Sequence, residues 1–139
     1  MDKKLESNIL AVRLYTGEDL VSSLLDAFKY TAKPIGIVLS GVGMMQNVKL
    51  GYFKGEGRYK EHIFDEPKEI VSLTGNVIND GERLYSHLHV SLADEDGRVT
   101  GGHLINAKVY GTGEIFINLS DIQAKRKKEE ETGLEGLKL

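Results

Sequence analysis

The chain's four histidines include one closely spaced group. His87 and His89 flank a single leucine, and His103 follows fourteen residues later. The segment Tyr85-Ser86-His87-Leu88-His89-Val90-Ser91-Leu92 alternates strictly, so it reads as a strand with Leu88, Val90 and Leu92 on one face and His87, His89 and Ser91 on the other. Side chains two apart on a strand share a face, with Cα atoms roughly 6.5–7 Å apart. That spacing lets two imidazoles reach one cation from the same side. A third imidazole from the next strand would complete a set of three nitrogen ligands with an open fourth position, a common arrangement at catalytic zinc. His87, His89 and His103 are therefore the candidate metal ligands. Zinc is the expected ion, although imidazole also suits copper, nickel and iron. Ser91 and Asp94 are candidates for supporting the ligands. His62, in the charged run Lys60-Glu61-His62, reads as a surface residue.

The elements around this group must bring the two histidine segments together. Asp96-Gly97 between two alternating segments signals a hairpin. A loop centred there places position 90 opposite His103, which leaves His89 within one or two residues of it. Opposed or diagonal side chains in an antiparallel pair lie about 4.5–8 Å apart. A bulge at Gly101-Gly102 would re-aim His103, either within the chain or toward a neighbouring subunit.

Elsewhere, Asn8 to Tyr15 reads as a strand. Leu20, Val21, Leu24, Leu25 and Phe28 recur at helical spacing and predict a helix over Glu18 to Ala32, capped by Thr16 with Asp19 reaching back. Pro34 ends it. Further strands are predicted at 35–43, 48–54, 57–64, 69–77, 83–93, 98–109 and 113–119. One helix cannot cover both faces of so large a sheet, so the sheet either closes on itself or is buried against other subunits. The expected division is a domain over residues 1–121 and a charged arm over 122–139, docked or disordered. In that arm Lys125-Arg126-Lys127-Lys128 and Glu129-Glu130-Glu131 would compensate one another at i to i+4 on a solvated helix or tail.

Composition sets outer limits. A length of 139 residues suits one domain with a real core. The absence of cysteine excludes disulfides and thiolate ligands. A net charge of −3 argues against a broad basic nucleic-acid face. No run approaches about 20 apolar residues, and the N-terminus carries no apolar run behind its charges, so a cytoplasmic protein is expected. Gly41-Val42-Gly43 lacks a following helix and a lysine-serine pair, which rules out a phosphate loop. Gly81, His87 and His89 match the opening of a cupin motif, but Ala93 and Asp94 stand where its glutamate would fall.

Several motifs together are similar to one family. They are Leu14-Tyr15-Thr16-Gly17-Glu18-Asp19-Leu20, Leu39-Ser40-Gly41-Val42-Gly43, Glu69-Ile70-Val71-Ser72-Leu73-Thr74-Gly75, His87 to Ala93, and Asp96 to Leu104. Over residues 8–121 the chain resembles the plant and prokaryote conserved (PPC) domain, which stands alone in prokaryotes and in plants is joined to AT-hook DNA-binding motifs. The resemblance implies an α+β fold, with a strongly bent antiparallel β-sheet wrapped around one main helix and three copies assembled as a homotrimer. It also implies DNA or transcription-associated proteins as partners, and a regulatory or interaction role. The chain carries five arginines but no Arg-Gly-Arg core of the AT-hook type, and Pro67-Lys68 precede the segment that in plants contacts transcription factors. A more distant likeness in fold, to the three-histidine zinc enzyme acetolactate decarboxylase, implies the alternative of a small metal-dependent enzyme. Its acid or base would then come from Glu114, Asp94 or Asn118.

Overall fold

A computed structural model describes residues 1–139. Nine strands and one helix follow in chain order: β1 (Asp2–Glu6), β2 (Ile9–Tyr15), α1 (Leu20–Lys29), β3 (Ile35–Gly55), β4 (Arg58–Phe64), β5 (Lys68–Asn79), β6 (Leu84–Ala93), β7 (Val99–Ser120), β8 (Lys125–Lys128) and β9 (Glu135–Lys138). The first seven of these strands form one antiparallel sheet in the order β1-β2-β7-β6-β5-β3-β4, and β3 pairs in addition with β7. That extra pairing closes the sheet through β3, β5, β6 and β7. Closure removes most free edges and gives the alternating strands an interior.

The helix fills that interior. Leu20, Leu24, Ala27 and Phe28 are fully buried in a cluster of 23 residues with β2, β3, β5, β6 and β7. α1 is shorter than the expected Glu18 to Ala32, and its cap is Asp19 rather than Thr16. The Asp19 carboxylate accepts the Ser22 amide at 2.9 Å. Thr16 is engaged elsewhere, its hydroxyl accepting the Gly111 amide at 2.8 Å. Gly17, at φ +91°, turns the chain between the two.

β3 and β7 each run through what the sequence suggests are two strands. Their mutual pairing shifts register at Val38/Ser40, Gly43/Met44, Gln46/Lys49 and Lys49/Leu50. Each shift bends the ladder without ending it. At Gly43 (φ +124°) a β-carbon would lie 2.0 Å from the Thr112 carbonyl oxygen, so only glycine lets the two strands cross that closely.

The segment after Asp121 returns to the domain as a hairpin, and Lys125–Lys128 is a strand instead of a solvated helix or tail. Lys128 pairs with Glu135 and Lys125 with Lys138. Ala124 is buried with Ile35 and Ile78, which pins the start of the arm. No helix is long and apolar enough to cross a membrane.

Candidate metal centre

β6 supplies two of the three histidines because its pleat sends Leu88, Val90 and Leu92 into the core, all 3% exposed or less. His87 and His89 consequently point away from it. β7 supplies the third: His89 stands directly opposite His103, one residue from the expected register. The five-residue loop accounts for the shift. The Asp94 carboxylate accepts the Asp96 and Arg98 amides at 3.1 and 2.9 Å, and Gly97 (φ +77°) completes the turn.

The three imidazoles converge. One ring nitrogen from each lies within 4.8 Å of the other two. The Nε2 atoms of His87 and His89 are 3.3 Å apart, and the ring centroids are separated by 5.3–5.5 Å. His103 is half-buried, and its Nδ1 is buried with no hydrogen-bond partner. Burial pushes the His103 imidazole down to about 4, with His87 and His89 beside it adding to the effect. Burial also lowers His87, helped by the Arg126 guanidinium and by His89. Both rings therefore favour the neutral form, which is the form that ligates metals. A buried nitrogen without a partner is uncommon and calls for an explanation. A soft-to-borderline divalent cation suits this donor set, and the trio fits it.

These shifts predict how the metal-free protein responds to acid. Between pH 6.5 and about 4 the unfolded chain takes up a proton that folded His103 refuses. Stability of the chelator-treated protein should therefore fall as pH drops through that window. In urea titrations His103→Asn should flatten that part of the profile; an unchanged slope would remove this explanation.

β5 braces the site from the other side, with Thr74 opposite His89 and Asn76 opposite His87. Gly75 (φ +139°) permits this pairing, since a β-carbon there would sit 2.0 Å from the His87 carbonyl oxygen. Gly75→Ala should cost about 1–3 kcal/mol in strain and weaken zinc binding by displacing His87. Thermal melts and zinc titration of the variant check both, and unaltered zinc affinity would mean that β5 does not set the position of His87.

A cavity of about 1050 Å³ opens over the trio, bordered by the aromatic residues Tyr52, Tyr59 and Tyr85 and covered on one side by the β8–β9 hairpin. The Tyr59 ring centroid lies 5.5 Å from that of His103. From the hairpin, Arg126 reaches in and donates to Asn76 Oδ1 at 2.7 Å. Arg126 and Asn76 were not expected here. Arg126 lies in a run that reads as solvated, and the hairpin that brings it back rests on contacts distant in sequence.

The other expected residues fall elsewhere. Ser91 and Asp94 do not border the cavity, and Asp94 is committed to its own turn. His62 is exposed on β4, opposite Leu50. Glu114 pairs with Arg13 across β2–β7 and accepts the Thr112 hydroxyl at 3.2 Å, while Asn118 bonds Asn8. None of the three acid/base candidates, Asp94, Glu114 and Asn118, faces the histidines.

Residues 1–120 match the family model of the Plants and Prokaryotes Conserved (PCC) domain. The solved structure of a candidate DNA-binding protein from Bacteroides thetaiotaomicron is similar, with TM-score 0.91 and 26% identity, covering 99% of this chain and 96% of that one. A structure from Archaeoglobus fulgidus, described as a metal-containing protein, has TM-score 0.82 and 30% identity, covering 97% of this chain and 96% of that one. Among curated proteins, the chain is 34% identical over 110 residues to the bifunctional protein GlmU of a Synechococcus strain, matching 78% of this chain. It is 30% identical over 135 residues to AT-hook motif nuclear-localized protein 13 of Arabidopsis thaliana, matching 88% of this chain. The chain spans only 16% of the first of these curated relatives and 28% of the second.

Proposed function

The chain belongs to the Plants and Prokaryotes Conserved domain family, and we propose that it is a zinc-binding homotrimeric member with a regulatory or interaction role. The observation that carries this reading is the convergence of His87, His89 and His103, with ring nitrogens within 4.8 Å of one another. Those three residues would hold the ion. Without cysteine, nitrogen ligands are the strong donors available, and zinc is the default for three imidazoles where no redox partner is evident. The Archaeoglobus relative, described as metal-containing, supports the same reading. When bound, zinc would supply Lewis acidity and an open coordination position. The chain's own contribution is to keep His87 and His103 neutral, to fix all three rings on paired strands, and to leave their common face open to the cavity. Calorimetric titration of chelator-treated protein with zinc should show about one ion per chain; heat only of dilution would defeat the reading.

Assembly is supported by the outer sheet face. Ile37, Leu39, Val42, Val71 and Phe116, on β3, β5 and β7, are between 40% and 57% exposed. Neighbouring apolar side chains left outside are characteristic of an interface between copies. A trimer predicts a solution mass three times the 15.4 kDa of the chain. Leu39→Asp with Phe116→Asp should reduce this to the single-chain mass, by light scattering. A wild-type monomer would contradict the trimer.

The relatives described as DNA-binding or as AT-hook proteins make DNA the macromolecular partner to test. Such binding should weaken steeply with salt, and flat, weak binding at every salt concentration would count against it. A second reading, a small metal-dependent enzyme, is favoured by the cavity, which is large enough for a small molecule directly over the histidines.

A further inference from the structure

Arg126 is the one cationic side chain bordering the histidine cavity. Its surroundings are unusual for a half-buried guanidinium. One arm donates to the Asn76 amide oxygen at 2.7 Å and another to the Glu135 main-chain carbonyl at 3.3 Å, both neutral acceptors. The two carboxylates bordering the same cavity are already matched by other cations. Glu135 pairs with Arg83 at 3.1 Å, and Glu129 with Lys138 at 3.6 Å. Arg126 thus makes no ion pair of its own, and the one carboxylate whose charge acts on it, that of Glu135, is shared with Arg83.

Its position is fixed relative to the histidines. Asn76 is the cross-strand partner of His87, so their side chains share a face. By gripping Asn76, Arg126 stands on the His87 side of the trio. With zinc on neutral imidazoles the cavity floor would gain further positive charge. Tyr52, Tyr59, Tyr85 and Phe53 supply apolar ring surface around it, with Phe53 and Tyr59 at 5.5 Å between centroids.

We infer that this cavity binds a small organic carboxylate, its carboxylate held by Arg126 beside the histidine trio and its apolar body lying against the tyrosine rings. This deepens the zinc-site reading and rests on it for the second positive group. A guanidinium matches a carboxylate as a planar fork, which a point charge does not. The occupant follows from the charge balance, because a dication and an unpaired guanidinium around apolar walls leave an anion with a hydrophobic body as the complement. The hairpin carrying Arg126 is tied to the β3–β4 turn by the Gly57 amide, which donates to the Thr132 carbonyl at 3.0 Å, and so covers one side of the cavity.

Benzoate and inorganic phosphate are suitable probes, titrated by calorimetry into the zinc-loaded full-length protein. Wild type should bind benzoate more tightly than phosphate. Arg126→Gln keeps a donor for Asn76 but removes the charge, and should weaken benzoate about 10–100-fold, the scale of a lost charge-assisted hydrogen bond. Zinc affinity, measured separately, should not fall, since Arg126 is not among the ligands and its positive charge opposes that of the ion. Arg126→Lys should restore part of the benzoate affinity, and Lys127→Gln, on the exposed side of β8, should change nothing. Equal benzoate binding by wild type and Arg126→Gln, or none by wild type, overturns the inference, and tighter phosphate overturns the ligand class. Failure of zinc to bind wild type would instead overturn the metal reading, and the two failures are distinct readouts.

Discussion

His89→Ala should lower zinc affinity by more than about 100-fold while leaving the fold intact. Loss of a residue that merely orients a ligand costs 10–100-fold, and His89 would itself be a ligand. Its ring is one corner of a nearly equilateral trio, 5.3 Å from His87 and 5.5 Å from His103 between centroids, with Nε2 3.3 Å from that of His87 and its Cα opposite His103. The fold should survive because His89 is exposed and β6 is held by Leu88, Val90 and Leu92 on its other face. Zinc titration and circular dichroism of the same sample separate the two effects. Full zinc affinity in a folded variant would remove His89 from the site. Loss of the trimer together with the metal would make the ion structural.

Leu88→Ala, one residue away, should do the opposite. Leu88 is fully buried in the cluster that includes α1. Truncating a leucine in such a place costs about 2–5 kcal/mol, the transfer term plus the cavity left behind. Against a typical total of about 5–15 kcal/mol this is a large fraction. Urea denaturation should show the midpoint fall sharply, while whatever folded protein remains still binds zinc, because no ligand is removed. A shift below about 1 kcal/mol would mean that the sheet interior repacks around the gap. The pair of variants tests whether the two faces of one strand divide the work of folding and binding.

The convergence of the three histidines was legible in the sequence for a local reason. Strict alternation from Tyr85 to Leu92 assigns every side chain of β6 to a face, and Asp96-Gly97 places β7 beside it. Only the register differs, by one residue, because the Asp94 carboxylate takes up the Asp96 and Arg98 amides within the turn. Sheet closure was one of two outcomes demanded by a single helix among many strands. The rest depends on contacts distant in sequence. Gly43 looks like an interruption, yet it is where β3 crosses β7 closely without breaking. Thr16 looks like a helix cap, but Gly111, 95 residues away, claims its hydroxyl. The run Lys125 to Glu131 has the charge pattern of a helix. It forms a hairpin because Ala124 is buried against Ile35 and Ile78, and because Arg126 finds Asn76 fifty residues away. No local propensity records such partners, so the second charged component of the cavity emerged only from the three-dimensional arrangement.

The central claim is a zinc ion held by His87, His89 and His103, and the metal content of the untagged, purified protein tests it most directly, with His87→Ala prepared in parallel. The account predicts about one zinc per chain in the wild type and none in the variant. Equal metal in both, or none in either, would contradict it and leave the three histidines as ordinary polar residues on the wall of a cavity.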